Sequence, residues 1–91
     1  MELNFPNPSR YYEENEHGVH FWGYYRTIEI PFFIEESTFS KIDPETKSNE
    51  AGFLNTFDSN TEQIHLAANT AYSQRKKSSR AASYRLTESD F

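Results

Sequence analysis

The chain has 91 residues, a net charge of −5 and no cysteine, which excludes a disulfide scaffold, zinc ligation by thiolates and a thiol nucleophile. This length is that of one small domain, and no apolar run reaches the roughly 18 residues that a membrane-spanning helix needs. Because the first residues also lack the basic and apolar regions of a secretory signal, we expect a cytoplasmic protein that does not engage membranes.

The N-terminal part predicts an extended lead-in over residues 1–9 and a β-meander over residues 10–35. Pro6 and Pro8 fix φ in the lead-in and disfavour a helix there. A short first strand then reaches a tight turn that ends at Gly18, which suits a position with positive φ.

Two strands of the meander show clear alternation. In the second of them, Ile28 to Glu35, Pro31 cannot donate to a ladder, so we expect a sheet edge or a bulge there, at least locally. The alternation predicts a core face that carries Ile28, Ile30, Phe32 and Ile34 and an opposite face that carries His20, Trp22, Tyr24 and Phe33.

The rest of the chain predicts a short helix over residues 37–42, one long helix over residues 48–77 and a C-terminal strand over residues 83–87. Apolar residues three and four apart form one stripe along the long helix, although Gly52 in its first turn costs up to about 1 kcal/mol relative to alanine. The expected fold class is α+β, with a small antiparallel sheet packed against the long helix and the short one.

Several of these segments together resemble a family of small bacterial proteins, the domain of unknown function 1488. The resemblance spans nearly the whole chain and is carried by Leu3-Asn4-Phe5-Pro6-Asn7, Tyr12-Glu13-Glu14-Asn15, Val19, Phe21, Ile28 to Ile34, Glu36-Ser37, and the helical pattern Phe57, Asn60, Ile64 and Ala68. It implies the fold and a bacterial cytoplasmic setting, and it brings no catalytic residue.

The chain departs from the family pattern at two places. Phe33-Ile34-Glu35 replaces a small or polar residue before the serine, and Phe21-Trp22-Gly23 replaces a segment that commonly contains proline. The matched residues are structural types, so the resemblance says more about fold than about activity.

The densest group of metal-ligand types is Glu13, Glu14, Glu16, His17 and His20. Imidazole and carboxylate groups in one turn can hold a metal, but there is no helical His pair and no second cluster, so a polar hairpin surface is the better interpretation. No Gly-x-Ser-x-Gly elbow frames a nucleophile, and His65 is a lone imidazole beside an apolar stripe. We therefore predict no metal, no cofactor and no catalytic residue.

The basic residues are concentrated near the end of the chain. Residues 1–62 carry a charge of −8 (12 acids, 4 bases), whereas residues 63–91 carry +3 (5 bases, 2 acids). Bases and rings together are typical of single-strand binders, but cations at a helix C-terminus also suit the helix dipole. The candidate nucleic-acid contacts are Arg75, Lys76, Lys77, Arg80, Tyr84 and Arg85.

The aromatic face formed by His20, Trp22, Tyr24 and Phe33 is the other candidate surface. Exposed apolar patches of this kind mark partner surfaces, unless the lead-in, Phe91 or a second copy of the chain covers them. The leading hypothesis is a non-enzymatic interaction or regulatory module whose partner is a protein or a second copy; the alternative is a nucleic-acid-associated regulator.

Overall fold

A computed structural model describes residues 3–6, 8–74 and 83–91 and confirms the α+β fold. A four-stranded sheet in the order β1-β2-β3-β4 carries three α-helices on one side. In chain order the elements are β1 (Arg10–Glu13), β2 (Gly18–Tyr25), β3 (Ile28–Glu35), α1 (Glu36–Ile42), α2 (Glu50–Ser59), α3 (Thr61–Gln74), β4 (Tyr84–Leu86) and a final 3-10 turn (Glu88–Asp90).

The meander forms as the alternation predicts. Strand β2 pairs antiparallel with β1 and, over its whole length, with β3. The residues with positive φ in the two turns are His17 and Arg26, both at 59°, and no described glycine has a positive φ. Gly18 is therefore not required for its backbone conformation, and another constraint explains it.

Strand β4 corrects the expectation of a purely antiparallel sheet, because it pairs parallel with β3. The chain leaves β3, passes through the helices on one side of the sheet and returns in the same direction, which a crossover of this length allows. Only Phe32–Ile34 of β3 pair with β4. Pro31 lies just outside this pairing, so its missing N–H falls at a local sheet edge.

The single long helix predicted over residues 48–77 is instead two helices, α2 and α3, within the residues described. The break lies at Asn60, whose φ is −131° and whose side-chain amide donates to the carbonyl of Thr56 at 2.9 Å. Asparagine competes in this way with the helical backbone bonds, so the apolar stripe continues while the helix does not. Within the described ranges no helix is long and apolar enough to cross a bilayer.

The entry to α2 shows why Gly52 is tolerated in a helical turn. The side chain of Asn49 caps the helix by accepting from the N–H of Gly52 at 2.7 Å. The carbonyl oxygen of Lys47 lies so close that a Cβ on Gly52 would meet it at 2.1 Å. The helix start thus depends on a close approach of two backbone segments that only glycine permits.

The core lies between the helices and one face of the sheet, called here the inner face. Rings dominate it, as in the edge-on contact of Phe21 with Phe57 at 5.1 Å. Ile28, predicted for the core, is 58% exposed because it lies at the end of β3. The buried apolar cluster consists of Leu3, Val19, Phe21, Ile30, Phe32, Ile34, Phe39, Phe53, Phe57, Ile64, Ala67, Ala68, Ala71 and Leu86.

The described part of the lead-in, residues 3–6 and 8–9, is tied to the sheet and the helices. Asn4 exchanges two backbone hydrogen bonds of 2.8 Å with Tyr24. It therefore continues the pairing along the β1 edge of β2, past the point where β1 itself pairs. The N–H of Leu3 donates to the side-chain oxygen of Asn69 at 2.9 Å. The lead-in is therefore part of the domain.

Candidate functional site

The sheet face opposite the helices, called here the outer face, carries one residue from each strand in a continuous row. Tyr11, His20, Phe33 and Arg85 are direct partners in the strand registers. The ring centroids of Tyr11 and His20 are 4.9 Å apart, those of His20 and Phe33 are 4.8 Å apart, and the Arg85 guanidinium lies 4.7 Å from the Phe33 ring. Cross-strand neighbours at such distances stabilise one another.

Phe33 is the floor of this row. Only 2% of its surface is exposed, although it is not part of the cluster that the helices bury. The ring lies over Gly18, where a Cβ would meet its Cζ atom at 2.2 Å. Phe33 is one of the four residues predicted for the interaction face. Because it is buried, it supports the exposed residues of this face and is not itself accessible to a partner.

Carboxylates hold two members of the row in place. The ring Nε2 of His20 lies 2.7 Å from Glu16, and Arg85 donates to Glu35 at 2.8 Å. The buried apolar residues of all three helices lie in the inner-face cluster. The outer face therefore has an aromatic centre and a charged rim.

Trp22 and Tyr24 continue the outer face along β2, and both are half-buried. The Trp22 ring lies 5.8 Å from that of Tyr11, and the Tyr24 hydroxyl donates to Glu29 at 2.9 Å. Tyr11 itself is 47% exposed. Tyr11 is not among the four residues predicted for this face, although alternation along β1 from the inward-facing Tyr12 places it there.

The predicted nucleic-acid contacts are only partly described. Arg75, Lys76, Lys77 and Arg80 lie outside the described residues. Tyr84 faces the core, where its ring lies 5.5 Å from Phe32, and burial raises its pKa. Arg85 points to the outer face instead. The Tyr84 ring and the Arg85 guanidinium, which were expected to act together, thus lie on opposite sides of the sheet. The nucleic-acid interpretation stays a prediction.

The Glu and His residues of the first turn separate into pairs. His20 contacts Glu16, whereas Nδ1 of His17 lies 3.5 Å from Glu36. The Tyr12 hydroxyl donates to Glu36 at 2.5 Å, and this bond raises the pKa of Tyr12 to about 12. In the part of the chain that the structure describes, no three such side chains converge as metal ligands.

The residues that carry the sequence resemblance have structural roles. Phe57, Ile64 and Ala68 are buried in the core, and Asn60 ends α2. A family model described as Protein of unknown function (DUF1488) matches residues 3–86. The chain belongs to this family. Comparison with curated proteins and with solved structures gave no match. The match to DUF1488 spans both the core and the outer face, and its description gives no function for either.

His65 on α3 gives this DUF1488 domain a pH dependence of stability. Its ring stacks on Phe5 with centroids 3.9 Å apart, and burial lowers its pKa from the usual 6.5. Below pH 6.5 the unfolded chain therefore binds more protons at this residue than the folded one. The contribution of His65 to the free energy of unfolding is therefore fully present above pH 6.5. It decreases as the pH falls towards the pKa of the folded state, by at most about 1.4 kcal/mol per pH unit.

We expect His65→Gln to reduce this slope. Urea unfolding of both proteins between about pH 5 and pH 7 measures it, and the difference between the two curves isolates His65 from the other histidines. Equal slopes in the two proteins would contradict the assignment.

Proposed function

We propose that the protein is a non-enzymatic protein-interaction module that docks through the outer face, on a partner protein or on a second copy of itself. The observation that supports this proposal is the row of three rings and one guanidinium across the four strands, with Tyr11 at its exposed end and Trp22 beside Tyr11. A two-layer fold whose helices pack on the inner face leaves such a row available to a partner.

The chemistry of the outer face suits an interface. Tyr and Trp contribute most to binding energy when they lie at the centre of a patch and polar groups surround them. Here Glu16 contacts His20, and Arg85 pairs with Glu35 at the end of the row. These contacts hold the His20 ring and the Arg85 guanidinium before binding, which lowers the entropy that docking costs.

Burial of Phe33 supports the same proposal. A large ring on the side of the sheet away from the helices is held at 2% exposure by its neighbours on the sheet. Its packing against His20 and beneath Arg85 orders the residues above it. An ordered row of rings on a sheet face is better suited to another protein than to a small molecule, which is usually enclosed by a cleft.

The test compares Tyr11→Ala and Trp22→Ala with Leu66→Ser, a control on α3 whose side chain is 68% exposed. Sedimentation velocity measures self-association, and affinity capture followed by quantitative binding measures a partner. We expect each aromatic variant to weaken the association about tenfold or more, because truncation of a central ring costs upwards of about 1.4 kcal/mol, and the control to bind as the wild type.

The proposal is wrong if the wild type neither self-associates nor binds a protein, or if Tyr11→Ala binds as tightly as Leu66→Ser. Circular dichroism of each variant establishes that the fold is retained. Because Tyr11 is 47% exposed, its truncation should leave the stability nearly unchanged, so a loss of binding would report on the surface itself.

A further inference from the structure

A cavity lies at the β1 edge of the sheet, between the point where the lead-in pairs with β2 and the point where β1 begins to pair with it. Strand β1 pairs with β2 only as far as Phe21, whereas Asn4 pairs with Tyr24. Beside this edge lies a cavity of about 240 Å³. Its lining residues are Phe5, Pro8, Ser9, Phe21, Trp22, Phe57, Asp58, Thr61 and His65.

Rings form most of the cavity wall. Phe5 and His65 stack with their planes only 5° apart, and Phe21 meets Phe57 at 65° with centroids 5.1 Å apart. Phe21 and Phe57 are buried in the core, so this part of the wall is rigid. A wall of parallel and perpendicular rings offers offset-stacked and edge-to-face positions to another ring.

The charge of the cavity is close to neutral. Asp58 is the acidic residue of the lining, and Arg10 donates to both of its carboxylate oxygens at 2.8 and 2.7 Å. Burial lowers the pKa of His65, so its ring is uncharged near neutral pH, and neither ring nitrogen hydrogen-bonds to the described residues. The cavity therefore favours an uncharged ligand that can bond to the imidazole or to the Thr61 hydroxyl.

The volume restricts the ligand to about one ring. A cavity of about 150 Å³ in another protein admits benzene, whereas sites for drug-sized ligands occupy about 300–1,000 Å³. At about 240 Å³, the cavity holds one six-membered ring with a short substituent.

We propose that this cavity binds one uncharged planar aromatic ring with a short hydrogen-bonding substituent, either as a free small molecule or as an aromatic side chain of a peptide. The ring lies against Phe5 and Phe21, and its substituent reaches His65 or Thr61. Trp22 borders both this cavity and the outer face, whereas Tyr11 and Phe33 belong to the outer face alone, so Tyr11→Ala tests the docking surface without altering the cavity.

The protein carries its own probe, since Trp22 is the single tryptophan of the chain and forms part of the wall. We expect benzyl alcohol and N-acetylphenylalaninamide to change the Trp22 emission in a saturable way, with dissociation constants on the order of 1 mM or lower. Cyclohexylmethanol and N-acetylleucinamide are the matched probes without a planar ring. Their affinities should be at least about tenfold lower. The chemical shifts of His65 and Thr61 locate the binding.

The two ring probes distinguish the source of the ligand. Tighter binding of benzyl alcohol indicates a free small molecule, whereas tighter binding of the amide indicates a peptide side chain, and either result supports the site. No saturable change with either ring probe, or equal binding of the ring and aliphatic probes, would overturn it.

A cavity-filling variant makes the test specific. Thr61→Phe should abolish binding of the ring probes, while Tyr11→Ala and Leu66→Ser should retain it. If Thr61→Phe does not fold, the smaller Thr61→Leu replaces it, and the chemical shifts of the wild type still decide. Binding that persists in a folded Thr61 variant, or shifts confined to residues outside the cavity, would contradict the proposal.

Discussion

Replacement of Gly18 by alanine is expected to lower the free energy of unfolding by about 2–4 kcal/mol, the cost of a clash in a well-packed region. The new Cβ would lie 2.2 Å from the Phe33 ring and 2.4 Å from the carbonyl oxygen of Ile34. A rotation of Phe33 cannot relieve the second contact because that atom belongs to the backbone of β3. Urea unfolding monitored by circular dichroism measures the change.

Gly23→Ala is the matched control, since Gly23 lies on the same strand and is also buried. Its Cβ would meet the Phe5 ring at 2.7 Å, but that ring belongs to the lead-in and can move aside. We expect a loss of less than about 1.5 kcal/mol. Equal losses at Gly18 and Gly23 would show that the Phe33 floor does not constrain β2.

Replacement of Gly52 by alanine is expected to destabilise the protein by about 1–3 kcal/mol, although alanine is the better helix former. The Cβ would lie 2.1 Å from the Lys47 carbonyl oxygen, and a shift of that segment would disturb the cap in which Asn49 accepts from residue 52. Loss of an asparagine cap alone costs about 1 kcal/mol. Thermal and urea unfolding measure the result.

Asn55→Ala provides the control for helix propensity on the same helix. Asn55 is exposed, so alanine there should leave the stability unchanged or raise it by up to about 0.7 kcal/mol. If Gly52→Ala were stabilising to the same degree as Asn55→Ala, propensity would dominate and the close approach of Lys47 would carry no cost.

Alternation predicts the faces of the sheet correctly because a strand has a strict period of two. It separates Phe21 from Trp22 and Phe32 from Phe33 without any tertiary information. It cannot predict that Phe33 is buried, because that depends on Gly18 in the neighbouring strand. The direction of β4 is equally hidden, since a strand of three residues, Tyr84–Leu86, carries too short a pattern to distinguish parallel from antiparallel pairing.

The break between α2 and α3 shows a second limit. The apolar stripe passes through residues 57, 64 and 68 with helical spacing, and periodicity alone therefore predicts one helix. The side chain of Asn60 decides the break through a local bond to Thr56. Asparagine in a helical stripe is a recognisable signal for such competition, and it lies in the pattern shared with DUF1488.

The two candidate sites differ in how far sequence alone predicts them. Three residues of the outer face, His20, Trp22 and Tyr24, occupy every second position of strand β2. Alternation along that one strand therefore predicts them together. The cavity draws on the lead-in, β2, α2 and α3. No local pattern relates Phe5 to His65, sixty residues apart along the chain by their numbers, and only the packed fold brings their rings together.

The pairing of Asn4 with Tyr24 also bears on how the protein avoids aggregation. Long, unpaired strand edges recruit other chains into growing sheets. Here the two eight-residue strands β2 and β3 lie inside the sheet, the outer strands have four and three residues, and Asn4 bonds to β2 beyond β1. On β3, Pro31 has no N–H to offer beyond β4. The domain thus gives an incoming strand little free backbone, while the rings of its outer face remain available.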